Sequence, residues 1–291
     1  MKALLEPIKE IARFDELFRD LKKGTAGVTV ISGCLESQKA HMIAGLSEDA
    51  PVRLLIAENE LKAKELYEDY RLYDAETLYY PAKDLIFYQA DIHGNLLIRQ
   101  RLQVIQALLE RKEVTIITSV GGCMDFLLPL GVFEKHCIHL RNDSEFDLDK
   151  IRKELVRLGY ESTFQVESTG QFSVRGGILD IYPLTEQNPI RIELWGDEID
   201  SIRSFDAESQ RSIENLEEIT IYPASELILT EDTIARGVKA IKKEAKAQST
   251  KFRDKMMTEE AARIRHAAEE ICDQIGEGEI LQGAGQYLSL I

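Results

Sequence analysis

Several absences narrow the class of this chain before any motif is read. No apolar run approaches the ~20 residues that a membrane-spanning helix needs, so no membrane partner is expected. The four cysteines, Cys34, Cys123, Cys137 and Cys272, form no CxxC pair. That argues against a disulfide framework and a zinc site and leaves them as reduced structural thiols. The five histidines have no HExxH or HxH spacing, so no metal and no cofactor is expected. The opening MKALLEPIKEIARFDELF carries acids within its apolar pattern and lacks a signal-peptide core, which points to retention in the cytoplasm. Positive charge is also scarce, with a net charge of −15. The deficit is uneven: residues 1–133 hold 16 Lys/Arg against 20 Asp/Glu, residues 134–222 hold 10 against 19, and residues 223–291 hold 10 against 12. Non-specific DNA affinity rests on local positive charge, so the chain as a whole reads as a poor DNA binder. A local basic patch in its acidic middle would mark an acidic protein partner.

What is present is an ordinary globular composition, with 44% apolar and 30% charged residues over 291 positions, enough for two or three domains. Residues 1–22 read as an amphipathic helix and residues 27–33, GVTVISG, as a buried strand. After it comes Gly33-Cys34-Leu35-Glu36-Ser37-Gln38-Lys39-Ala40 and an apolar helix. A P-loop is strand, GxxxxGK[ST], helix. Gly33 and Lys39 keep that spacing, but Gln38 stands for the second glycine and Ala40 for the magnesium-ligating hydroxyl. Glu36 adds negative charge where phosphate would lie. A working P-loop, an accidental strand-turn-helix and a degenerate P-loop kept for fold all remain readings; these substitutions favour the last.

Residues 51–57 read as a second buried strand, 59–73 as a helix capped by Asn59, ETLYYPA as a third strand, 83–95 as a loop, 96–111 as a helix and 114–118 as a fourth buried strand. Strands alternating with helices predict a parallel α/β sheet. Its loop Ser119–Gly122 follows a strand C-terminus, where such sheets bind ligands. Around 129–134, PLGVFE, the pattern changes: a short strand over 136–140, a helix over 147–158 stopped by Gly159, then half-polar strands to Pro223 that suit an antiparallel sheet. Thr230 to about Gly276 reads as helical. The closing apolar Leu288–Ile291 is read as implying a longer natural chain, since apolar ends bury themselves elsewhere.

The chain is organised around Gln165–Pro183, QVESTGQFSVRGGILDIYP, and PIRIELW at 189–195. Strand alternation puts Ile190, Ile192 and Leu194 on one face and Arg191, Glu193 and Trp195 on the other. Exposed Arg beside an aromatic is the composition of a protein-binding hot spot. Arg175, before the Gly-Gly pair, is either part of that surface or a structural arginine of the turn. Arg191 and Trp195 are either hot-spot residues or a surface ladder with a half-buried Trp.

FSVRGGILDIYP and RIELWGDEIDSIRSFDAESQRS, with YYPAKD and the loop GCLESQKA in the same order, resemble the N-terminal UvrB-like module of the bacterial transcription-repair coupling factor family (Mfd). The resemblance implies a degenerate RecA-like lobe, residues 1–132, an inserted α+β domain with an antiparallel sheet that binds UvrA, residues 133–222, and a mostly helical return to the first lobe, residues 223–291. It implies a non-catalytic docking module with UvrA as partner and no catalytic residues. RNA polymerase and DNA would be reached only through the full-length protein, whose other domains would mask the docking face. Partner contacts in the family motif fall on Arg175, Arg191 and Trp195. The segment after YYPAKD is too short for UvrB's DNA-clamping hairpin. The alternative is an ATP-dependent UvrB-like or helicase-like enzyme working through Gly33, Glu36, Gln38, Lys39 and Ala40.

Overall fold

The computed structural model describes residues 2–11, 13–23, 27–83, 91–125, 127–226, 228 and 231–276. They divide into two compact units, Met1–Asp84 with Gln103–Asp125, and Leu85–Leu102 with Phe126–Ile291.

In the first unit, the stretch expected as one helix is broken into α1 (Lys2–Leu5), a 3-10 turn (Glu6–Glu10) and α2 (Phe14–Lys22). Pro7 is the second residue of the short turn, where its missing N–H costs little, and the chain leaves helical geometry at Ile11 and Arg13. The helices α3 (Glu36–Leu46) and α4 (Glu60–Tyr70) follow, with the strands β1 (Val52–Ala57), β2 (Leu78–Tyr80) and β3 (Val114–Ser119). The strands form a parallel sheet in the order β1-β3-β2. Asn59 caps α4, its Oδ1 accepting from the Lys62 amide at 2.9 Å. One sheet face packs Leu55 and Ile117 on Ala40, Ala44 and Tyr70. On the other, Val114 and Ile116 meet Val104 and Ala107 of α5 (Asp91–Leu109).

Three expectations fail here. Residues 27–32 form no strand, and Val28 is 95% exposed. A strand needs a neighbour for its N–H and C=O groups, and among the described residues the three sheet strands pair only with one another. β1 is not buried on both faces: Leu55 is buried but Val52, Leu54 and Ile56 are exposed, because the α5 cover reaches β3 and β2 and stops short of β1. Residues 91–95, expected in a loop, belong to α5, which begins at Asp91. Residues 84–90, and with them the comparison with a clamping hairpin, lie outside the described residues, as does the apolar end Leu288–Ile291.

The second unit contains α7 (Leu130–Lys135), β4 (Ile138–Arg141) and α8 (Leu148–Arg157), which follow α6 (Val120–Met124) of the first. Asp147 caps α8 through the Lys150 amide at 3.0 Å. Gly159 ends it at φ +90°, with Ser225 Cβ 3.1 Å from where its own Cβ would stand, so a larger residue would be strained there. Next come β5 (Glu161–Ser162), β6 (Gln171–Arg175), β7 (Ile178–Ile181), β8 (Ile190–Trp195), β9 (Glu198–Phe205) and β10 (Ser212–Leu216). They form one six-stranded sheet in reverse order, antiparallel except for the β5–β6 pair. Leu179, Ile192 and Ile202 lie opposite one another across three strands and are buried, which defines the core face that the alternation implied. β11 (Glu218–Ile221) returns to pair with β4. A helical hairpin, α9 (Glu231–Asp254) and α10 (Thr258–Gly276), closes the described chain; Ile241 packs there on Ala268 and Cys272.

Candidate functional site

The face of the six-stranded sheet opposite Leu179, Ile192 and Ile202 is built by register. Asp180 on β7 stands opposite Arg191 on β8, which stands opposite Arg203 on β9. Two arginines facing each other repel, and each finds its own carboxylate. Arg203 pairs with Glu193. Arg191 donates from Nε to Asp180 Oδ1 at 2.6 Å and from Nη2 to Oδ2 at 2.8 Å. Its Nη2 also reaches Gln210 Oε1 at 3.0 Å, and its guanidinium lies 4.5 Å from the ring centroid of buried Phe205. The Asp180 hydrogen bonds raise the Arg191 pKa above its ordinary value, outweighing the opposing effect of burial. The Asp180 side chain is 1% exposed, whereas the Arg191 side chain keeps 16%.

Arg175 joins the same carboxylate, its Nη2 donating to Asp180 Oδ2 at 2.8 Å. The structure therefore brings two of the expected residues together on one aspartate, and two guanidinium groups against one carboxylate leave one positive charge at the surface. The Gly176–Gly177 turn allows this: Gly176 has φ +60°, and a Cβ on Gly177 would lie 3.2 Å from the Leu194 carbonyl of β8. Trp195 lies four residues beyond Arg191 on the same alternation of β8, at the Gly196 turn, and is 84% exposed.

Asp180, Phe205 and Gln210 were not singled out from the sequence, because their relation to Arg191 depends on strand register. Phe164 was missed as well. It is 84% exposed, and its carbonyl accepts from Ser173 Oγ at 2.8 Å, which places it beside β6. An isolated Phe in a polar loop carries no periodic signal.

In the loop Gly33–Ala40 the expected residues make contacts within the chain. Gly33 has φ +84°, but α3 begins already at Glu36. Gln38 Oε1 accepts from the Leu35 amide at 3.0 Å, Lys39 Nζ pairs with Glu36 at 2.6 Å, and Ala40 is buried. At the C-terminal end of the parallel strands, Ser119 Oγ donates to Glu60 at 2.7 Å and accepts from the Gly122 amide at 3.1 Å. Glu60 also accepts from the Ala82 amide at 3.2 Å and from the Tyr79 hydroxyl. The chain's own carboxylate thus fills the position where the sequence placed a ligand. Among the described residues no cluster of His, Cys, Asp and Glu is arranged to hold a metal, and no helix is long and apolar enough to cross a membrane.

Residues 138–227, which contain this sheet, match the UvrB interaction domain family. Over most of its length the chain is similar to transcription-repair-coupling factors, as its motifs implied. It is 34% identical to that of Bacillus subtilis (strain 168) over 292 aligned residues, covering 94% of this chain and 24% of the relative. It is 38% identical to that of Staphylococcus aureus (strain USA300) over 240 residues, covering 81% of this chain and 20% of the relative. The chain therefore spans about a quarter of the length of these relatives.

Proposed function

We propose that this chain is a non-catalytic module that docks UvrA and so links stalled transcription to nucleotide excision repair. The observation that carries the reading is the sheet face on which Arg175 and Arg191 share buried Asp180 while Trp195 on β8 stands in water. An arginine fixed by a buried carboxylate has already lost its rotamer freedom, so a partner meets it at lower entropic cost. An exposed indole contributes little to folding and much to an interface. The family match over 138–227 supports placing the surface in this domain.

The proposed division is a degenerate RecA-like lobe over 1–132, the UvrA-binding α+β domain over 133–222 and a mostly helical remainder over 223–291. The lobe is proposed to have lost ATP binding. In support, Lys39 is held by Glu36 and Ala40 offers no metal ligand. RNA polymerase would be engaged through other parts of the full-length protein, in the cytoplasm, and those parts would mask the docking face.

A pull-down with purified UvrA tests the reading. Arg175→Ala and Arg191→Ala should each weaken capture with the fold retained, and undiminished capture by both overturns it. Calorimetric titration with Mg-ATP should give no saturable binding; micromolar saturation would return the enzyme alternative.

A further inference from the structure

One side of α9 has a composition unlike the rest of this acidic chain. Between Arg236 and Arg253 there are seven Lys/Arg and one acid, Glu244. Arg236, Lys239, Lys243, Lys246 and Arg253 recur at steps of three, four, three and seven, so they follow one side of a helix with 3.6 residues per turn. Lys242 lies next to that line. All six are exposed. The opposite side, with Ile234, Val238, Ile241 and Ala245, is packed against α10, which fixes the basic side outward. Among the described residues none of the six is in an ion pair, and Glu244 is taken up by Gln248 at 2.8 Å. The line runs for ~26 Å at 1.5 Å per residue.

We infer that this stripe is a track for the phosphate backbone of duplex DNA, separate from the proposed UvrA surface. Like charges at steps of three and four destabilise a helix, so packing on α10 holds together a row that repels itself. An added polyanion relieves that repulsion. The chemistry selects among polyanions. Protein interfaces are depleted in Lys and anchored by aromatics, and this line is mostly Lys with no aromatic on it. Lys binds phosphate as a point charge without reading geometry, which suits contacts indifferent to sequence. The net charge of −15 does not prevent local binding, because at ~0.15 M salt charges beyond ~8 Å are largely screened.

The test is fluorescence anisotropy of a labelled 20-base-pair duplex titrated with this chain between 50 and 200 mM salt. Saturable binding at 50 mM is expected, with log K falling against log salt at a slope of about −4, for four to five phosphate contacts at ~0.9 each. A Lys239→Glu, Lys243→Glu, Lys246→Glu triple variant should bind at least tenfold more weakly, with a slope shallower by about 2 to 3. The corresponding triple Gln variant, which removes charge without reversing it, should fall between the two. Circular dichroism checks that α9 is retained in both. UvrA capture by the triple variants should be unchanged, so failure here and failure of the docking reading are distinguishable. Absence of saturable binding at 50 mM, equal affinity in both variants, or capture of polyglutamate without capture of duplex DNA each overturns the assignment; the last would point to an acidic protein instead.

Discussion

Arg191 grips Asp180 with two hydrogen bonds across the β7–β8 ladder, at 2.6 and 2.8 Å, and the carboxylate is closed to solvent. A buried charge with its partners removed is costly, whereas the intact pair contributes much less than its Coulomb energy implies. The aspartate is therefore a lever on two arginines at once.

Asp180→Ala should destabilise the second unit by about 3 kcal/mol, the lower end for breaking a buried pair, since Arg175 can turn to water. Urea unfolding measures it. Under the docking reading the same substitution lowers UvrA affinity, although Asp180 itself is out of reach of any partner.

Trp195→Ala and Phe164→Ala separate folding from binding. Both side chains are 84% exposed, so each substitution should change stability by no more than about 0.5 kcal/mol. Each should weaken UvrA binding, Trp195→Ala by about 2 kcal/mol. Titration of UvrA against each variant, paired with urea unfolding, checks both halves.

Two buried tyrosines predict an alkaline limit. Burial raises the pKa of Tyr79, with Glu60 adding to it, and burial raises that of Tyr160, whose hydroxyl donates to the Tyr222 carbonyl at 2.7 Å. With the folded pKa above the unfolded value of ~10, the unfolded state loses these protons first as pH rises. Stability is therefore full below pH ~10 and declines above it, through the raised folded pKa values. Urea midpoints should hold up to about pH 10 and fall above it, and Tyr160→Phe should flatten that fall.

The cysteines should differ in reactivity. Burial, with Glu134 adding to it, pushes the Cys137 thiol up to about 11, while Cys123 is exposed. At pH 8 a thiol reagent should modify Cys123 in the native chain and Cys137 only after unfolding, as read by mass spectrometry of the digested protein.

The parts of the fold legible in the sequence are those set by local chemistry. Asn59 and Asp147 cap helices as the side-chain pattern implied, and the run at 114–118 forms the buried centre of the parallel sheet. Gly159 stops α8 at a positive φ that side chains rarely adopt. What escaped depends on neighbours. The apolar run at 27–33 has strand composition but no adjacent strand among the described residues. Pro7 split a helix whose apolar period ran straight through it. At the site, alternation placed Arg191 and Trp195 on one side of β8, but the carboxylate joining Arg191 to Arg175 depends on the registers of β6, β7 and β8, which no single strand encodes.

The bare side of β1 bears on how the chain behaves in the tube. Val52, Leu54 and Ile56 are exposed on a strand that is at the edge of its sheet among the described residues, where apolar side chains invite another copy to stack. Apolar attraction weakens on cooling. Preparations should therefore keep longer on ice and cloud first when warmed and concentrated, with a polar replacement at Leu54 delaying the turbidity.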